Sequence, residues 1–155
     1  MQLSAIFLRL GHEHFDQLMR SVSLGQLRTY QLFDPFKTRL HLQKLNSETL
    51  RKATPRVWAR LQEENPKDLA TEIAQAVLIS HMTMIKAVLD DLGIPHDDGF
   101  FSKDADVSGH LSEGWQQRVW DKFKNQFSQA TLLFYINHLA WEVAKADDVF
   151  TPVNG

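Results

Sequence analysis

The chain has 155 residues, 43% of them apolar and 23% charged, with no cysteine and a formal net charge of −2. A chain of this length buries roughly 70% of the surface that its unfolded form exposes, so a core forms without a disulfide or a metal staple. These counts exclude thiol chemistry and a disulfide scaffold, and they argue against a uniformly basic nucleic-acid coat or an acidic disordered tail.

The N-terminal segment MQLSAIFLRLG carries a short apolar run that Arg9 interrupts and that no basic residue precedes, so it does not read as a secretory signal. The longest largely apolar run, residues 130–136, is far short of the roughly 18 to 20 residues that cross a bilayer. The expectation is a cytoplasmic protein with no membrane segment. Phe15, Leu18, Met19 and Val22 mark an amphipathic helix near the start of the chain. His12-Glu13-His14 reads as its solvated beginning, because neighbours one and two apart on a helix do not share a face.

Prolines punctuate the next part. Asp34-Pro35, Thr54-Pro55 and Asn65-Pro66 each put a capping side chain before a proline at the first helical position. Ser47-Glu48-Thr49 opens a helical stretch that should close near Ala53, since a residue preceding proline avoids helical geometry. Residues 34–65 therefore read as a series of short helices, with a strand left open at 38–45, where Leu40 and Leu42 alternate with polar neighbours.

Over residues 66–93, turning each position by about 100° puts Ala74, Val77, Leu78, His81, Ile85, Val88 and Leu92 on one side. One long helix is expected there, ended by Gly93 with Pro95 just beyond. Residues 93–111 lack a period and read as a loop, pinned by Phe100 and Phe101. Further on, Trp115, Val119, Phe123 and Phe127 recur every four residues and predict a helix over 112–127. Leu132, Leu133, Ile136, Leu139, Ala140 and Val143 predict another over 130–146, with Ser128 capping it and 147–155 as a tail. The fold class that follows is all-α: a single helical domain, a bundle of about four longer amphipathic helices with short helices inserted.

Several residues bear on function. His138 points away from the aliphatic side of its helix, among Phe134, Tyr135, Trp141 and Glu142. Glu142 lies four residues on, within reach of the imidazole, where it would raise the histidine pKa. This mixed stripe is either a second packing surface or an interface, since aromatic side chains are enriched at binding hot spots. His81 falls on the apolar side of the predicted long helix as a core histidine, or else as a metal ligand with His138 and Glu142 from a facing helix. The Glu-x-x-His pairs of bundle metal sites are absent. Asp104 and Asp106 open a pattern like a calcium loop, but the position of its bidentate glutamate is Trp115, so no ion and no cofactor is expected.

The near-neutral total hides a split. Residues 28–60 hold eight basic and two acidic residues, net +6, whereas residues 61–155 hold seven and fifteen, net −8. The basic part could serve an acidic partner or nucleic acid, with Arg51, Lys52, Arg56 and Arg60 as the contacting cations. SETLRKATPRVWARL, residues 47–61, could also be a helix-turn-helix with Arg56 and Arg60 on its second helix. No nucleophile with a base, phosphate loop or metal spacing points to an enzyme. The primary expectation is association, as a homo-oligomer or adaptor, through the aromatic stripe around His138. Nucleic-acid binding by residues 37–60 and a metal-dependent bundle enzyme using His81, His138 and Glu142 are the alternatives.

Overall fold

The structure, a computed structural model, describes residues 1–30, 46–63, 67–101 and 107–153. Among these are eight α-helices, one 3-10 turn at Ser108–His110 and no strand, so the protein is all-α. The chain divides into two compact units, Gln2–Ser80 and His81–Gly155, the second including Met1. The expected features at Asp34-Pro35, at 38–45, at Asn65-Pro66 and at Asp104 and Asp106 lie outside the described residues.

The first unit begins with α1, Leu3–Leu10, which burial of Leu3, Ile6 and Phe7 makes amphipathic. Gly11, at φ 100°, ends it and starts α2, His12–Arg20. Such a φ is open to glycine and strained for other residues. Phe15, Leu18 and Met19 of α2 are buried as expected. α3, Leu24–Thr29, is capped by the Ser23 hydroxyl, which accepts from the Gln26 N–H.

α4, Ser47–Leu61, corrects the sequence reading, because it runs unbroken through Thr54-Pro55 instead of stopping near Ala53. The same continuity removes the helix-turn-helix, since all of SETLRKATPRVWARL is one helix. Proline inside a helix costs about 3 kcal/mol through the missing N–H and the ring clash. Two features offset it. Leu50, Ala53, Val57 and Leu61 bury one full side of α4, the leucine and valine side chains contributing roughly 1.5–3 kcal/mol each when fully covered. At the N-terminus Asn46 accepts from the Thr49 N–H while the Thr49 hydroxyl accepts from the Asn46 N–H, a reciprocal cap with both distances 2.9 Å.

Aromatic rings join α1, α2 and α4. Phe7 meets Phe15 edge-on at 5.9 Å, and Trp58 of α4 lies 5.1 Å from both Phe15 and His12. α5, Lys67–Ile79, packs on α1 and α3.

The helix expected over 66–93 is two helices, α5 and α6, Met82–Leu92. Ser80 and His81 explain the break. The Ser80 hydroxyl donates to the Ala76 carbonyl and accepts from the Ser23 N–H, at 2.7 and 2.8 Å. His81 then leaves helical geometry at φ −132°, ψ 41°. Periodicity survives such an interruption when apolar residues continue at the same spacing, and so the pattern did not reveal it.

In the second unit Gly93, at φ 73°, closes α6 as expected. The loop after it is held by buried Ile94 and Val107, and by His96, whose ring meets Asp90 at 2.7 Å and accepts from the Gly99 N–H at 2.9 Å. Phe101 is half-buried, but Phe100 is 55% exposed and does not pin the loop. α7, Trp115–Phe123, is shorter than the predicted 112–127 because Gly114 at φ 79° precedes it and Phe127 folds back on Phe123 at 5.8 Å. It packs against α8, Gln129–Ala144, whose N-terminus Ser128 caps as predicted by accepting from the Thr131 N–H. Asn137, buried in α8, holds residues after the helix by a paired bond: its Oδ1 accepts from the Phe150 N–H and its Nδ2 donates to the Phe150 carbonyl.

No single helix among the described residues is long and apolar enough to cross a membrane.

Candidate functional site

The residues singled out around His138 all lie on α8, whose turns put Thr131, Tyr135, His138 and Glu142 on one stripe. The stripe faces inward more than a recognition surface would. Phe134 and Tyr135 are 0% and 3% exposed, and the His138 side chain is 12% exposed. Trp141 is half-buried, with its indole N–H donating to the Met1 carbonyl at 2.8 Å. The imidazole sits between two rings of its own helix, 5.8 Å from Phe134 and 5.7 Å from Trp141. This is the packing alternative of the sequence reading.

Its electrostatics also differ from expectation. His138 Nδ1 lies 3.6 Å from a Glu142 oxygen, too far for a hydrogen bond, and has no hydrogen-bond partner. Burial lowers the imidazole pKa to about 4, so desolvation outweighs the carboxylate that was expected to raise it. Burial raises the Tyr135 phenol, and the negative charge of Glu142 adds to that shift. The Tyr135 hydroxyl likewise lacks a partner, as does the indole N–H of Trp120 on α7. Near neutral pH the stripe therefore holds a neutral imidazole and a protonated phenol.

His81 is not on the apolar side of a continuous helix but at the start of α6, half-buried, with Nε2 3.4 Å from the Thr131 hydroxyl. Thr131 and His138 are seven residues apart on α8, about 10 Å along the axis. Among the described residues no group of three His, Asp or Glu side chains is placed to hold a metal ion.

The four cations proposed for nucleic acid, Arg51, Lys52, Arg56 and Arg60, are all exposed on α4. Lys52 pairs with Glu48 at 3.2 Å, one turn earlier. Arg51 projects to a different flank from Lys52, Arg56 and Arg60. On that flank, α2, α3 and α4 enclose an open groove of about 850 Å³. Met19 and Leu50, both buried, form apolar lining, and Val22 and Leu24 extend it. Arg20 and Arg51 border it as well, and among the described residues neither forms an ion pair or hydrogen bond. Of the acidic residues on the lining, Glu48 is paired with Lys52, and Asp16 lies 3.5 Å from the His12 ring.

Sequence reasoning missed this groove. Arg20 and Leu24 come from one end of the unit's sequence and Leu50 and Arg51 from another, and only folding brings them to one cavity. The signal that could have suggested it is the cation in the last turn of α2, next to half-apolar Ser21-Val22-Ser23-Leu24.

Together these features define an all-α protein with a buried polar stripe in one unit and a cation-bordered groove in the other. No protein-family model, no curated protein and no solved structure matches the chain.

Proposed function

We propose that this protein acts by association, with the exposed cations of α4 docking on an acidic protein surface. The observation that carries the reading is the charge of α4 itself: Arg51, Lys52, Arg56 and Arg60 stand exposed with Glu48 as the only acidic residue of the helix. Complementary potentials of this kind steer encounter and fix register. A second copy of the chain is the first candidate partner, because residues 61–155 carry a net −8 against the +6 of residues 28–60. The aromatic stripe of α8 is assigned to packing in this reading.

Nucleic acid is the weaker use of the same cations. Single strands are bound by stacking bases on exposed aromatic rings, and Trp58, the aromatic residue of α4, is half-buried against Phe15 and His12. The duplex-reading motif has also been lost to a continuous helix.

Size-exclusion chromatography with light scattering at low and high salt tests the reading, together with titration of poly-L-glutamate and of a short DNA duplex. The expected result is a salt-sensitive oligomer or salt-sensitive polyglutamate binding, either of them weakened in Arg56→Glu. A monomer at every salt concentration with no binding of polyglutamate rejects association. Duplex binding much tighter than polyglutamate binding transfers the function to nucleic acid.

A further inference from the structure

We propose that the groove of α2, α3 and α4 is a binding site for small anionic amphiphiles, with Arg20 and Arg51 receiving a carboxylate or phosphate head and the apolar lining covering the chain. The cavity, about 850 Å³, falls in the size range of small-molecule sites, roughly 300 to 1,000 Å³. Its chemistry is divided as an amphiphile's is. Met19 and Leu50 give a buried apolar surface that Val22 and Leu24 continue, and the thioether of methionine adapts to ligands of varied shape.

Charge selects the head group. Exposed arginines are ordinarily just solvated. Arg20 and Arg51 differ in bordering an apolar cavity while one of the two carboxylates on its lining, Glu48, is already paired with Lys52; the other, Asp16, lies 3.5 Å from the His12 ring. An incoming anion therefore meets two guanidiniums that have no ion-pair partner among the described residues, and their planar forks match carboxylate and phosphate oxygens. At the other end of α2, His12 lines the groove and stacks on Trp58 at 5.1 Å.

This inference does not rest on the association reading, since Arg20 lies outside α4. Isothermal titration of the full chain tests it with decanoate and decyl phosphate below their micelle concentrations. Decanol and decyltrimethylammonium serve as neutral and cationic counterparts, and acetate and inorganic phosphate as heads without a chain. Decanoate and decyl phosphate are expected to bind one to one. The other four should bind at least about 10-fold more weakly, and Arg20→Gln and Arg51→Gln should each weaken decanoate by about 10-fold. Arg56→Gln, on the other flank, should leave decanoate binding unchanged while weakening any acidic partner, which separates the two proposals. Decanol binding as tightly as decanoate, an Arg20→Gln/Arg51→Gln variant that retains wild-type affinity, or no binding of either anion overturns the inference. Preference for decyl phosphate over decanoate, or the reverse, assigns the head group within it.

Discussion

Lowering the pH should unfold this protein partly through one side chain, His138. An unfolded histidine titrates near 6.5, whereas burial holds His138 at about 4. The native-state pKa is the lower one, so between those values the unfolded chain takes up a proton that the folded chain refuses. The stabilisation is complete above about pH 6.5 and is lost progressively as the pH falls toward 4. A difference of about 2.5 pH units corresponds to about 3 kcal/mol, of which about 2.5 has gone by pH 4.5. The groups facing the imidazole along α8 are Glu142, 3.6 Å from Nδ1, and the neutral Tyr135 phenol. A carboxylate that swung into hydrogen-bond distance would stabilise the protonated ring and reduce the loss. Urea midpoints at pH 7.5 and 4.5 for wild type and His138→Leu isolate the effect, because acid titration of carboxylates elsewhere is common to both proteins. The variant should lose about 2.5 kcal/mol less than wild type over that interval. Equal losses in the two proteins would refute the assignment of the shift to burial of His138.

Other changes probe the remaining elements. Pro55→Ala should raise stability by about 2 kcal/mol, restoring a helical N–H inside α4 while giving back some unfolded-state entropy; a lower urea midpoint would mean that the proline shapes the helix in a way its neighbours require. Asn46→Ala removes one half of the reciprocal cap and should cost about 1 kcal/mol by thermal unfolding, with an unchanged midpoint showing that the cap contributes nothing. Tyr135→Phe deletes a buried hydroxyl without a partner and should leave stability unchanged or raise it by about 1 kcal/mol; a loss of 2 kcal/mol would reveal a hydrogen bond there. Phe134→Ala, at a site with no exposure, should cost about 3 to 5 kcal/mol in the same measurement.

The helices that could be read in the sequence are those with local end signals. Ser128 at the start of α8 and Gly93 at the end of α6 act through bonds and dihedrals confined to a few residues. α2 was legible because its apolar positions are few and its opposite side is polar. Tertiary bonds decided the rest. Pro55 sits inside a helix because the burial of Leu50, Val57 and Leu61 outweighs a local rule, and α5 ends at Ile79 where Ser80 bonds to Ser23, distant in sequence. α8 is harder still, since it buries residues on nearly every side. A helix of that kind has no strong amphipathic direction, so sequence alone placed His138 beside Phe134 and Tyr135 without showing that those rings point inward.

The charge split gains meaning from the division of the chain. Gln2–Ser80 carries a net +3 and the remainder a net −5, so the sign of charge follows the compact units and not merely a sequence window. In the association reading, units of unlike charge would pair head to tail between copies, and such contacts close into rings only when the rotation between subunits allows it. Association driven by these charges would therefore extend with concentration unless geometry closes it, and salt would dissolve it because exposed charges more than about 10 Å apart are largely screened at about 0.1 M ionic strength.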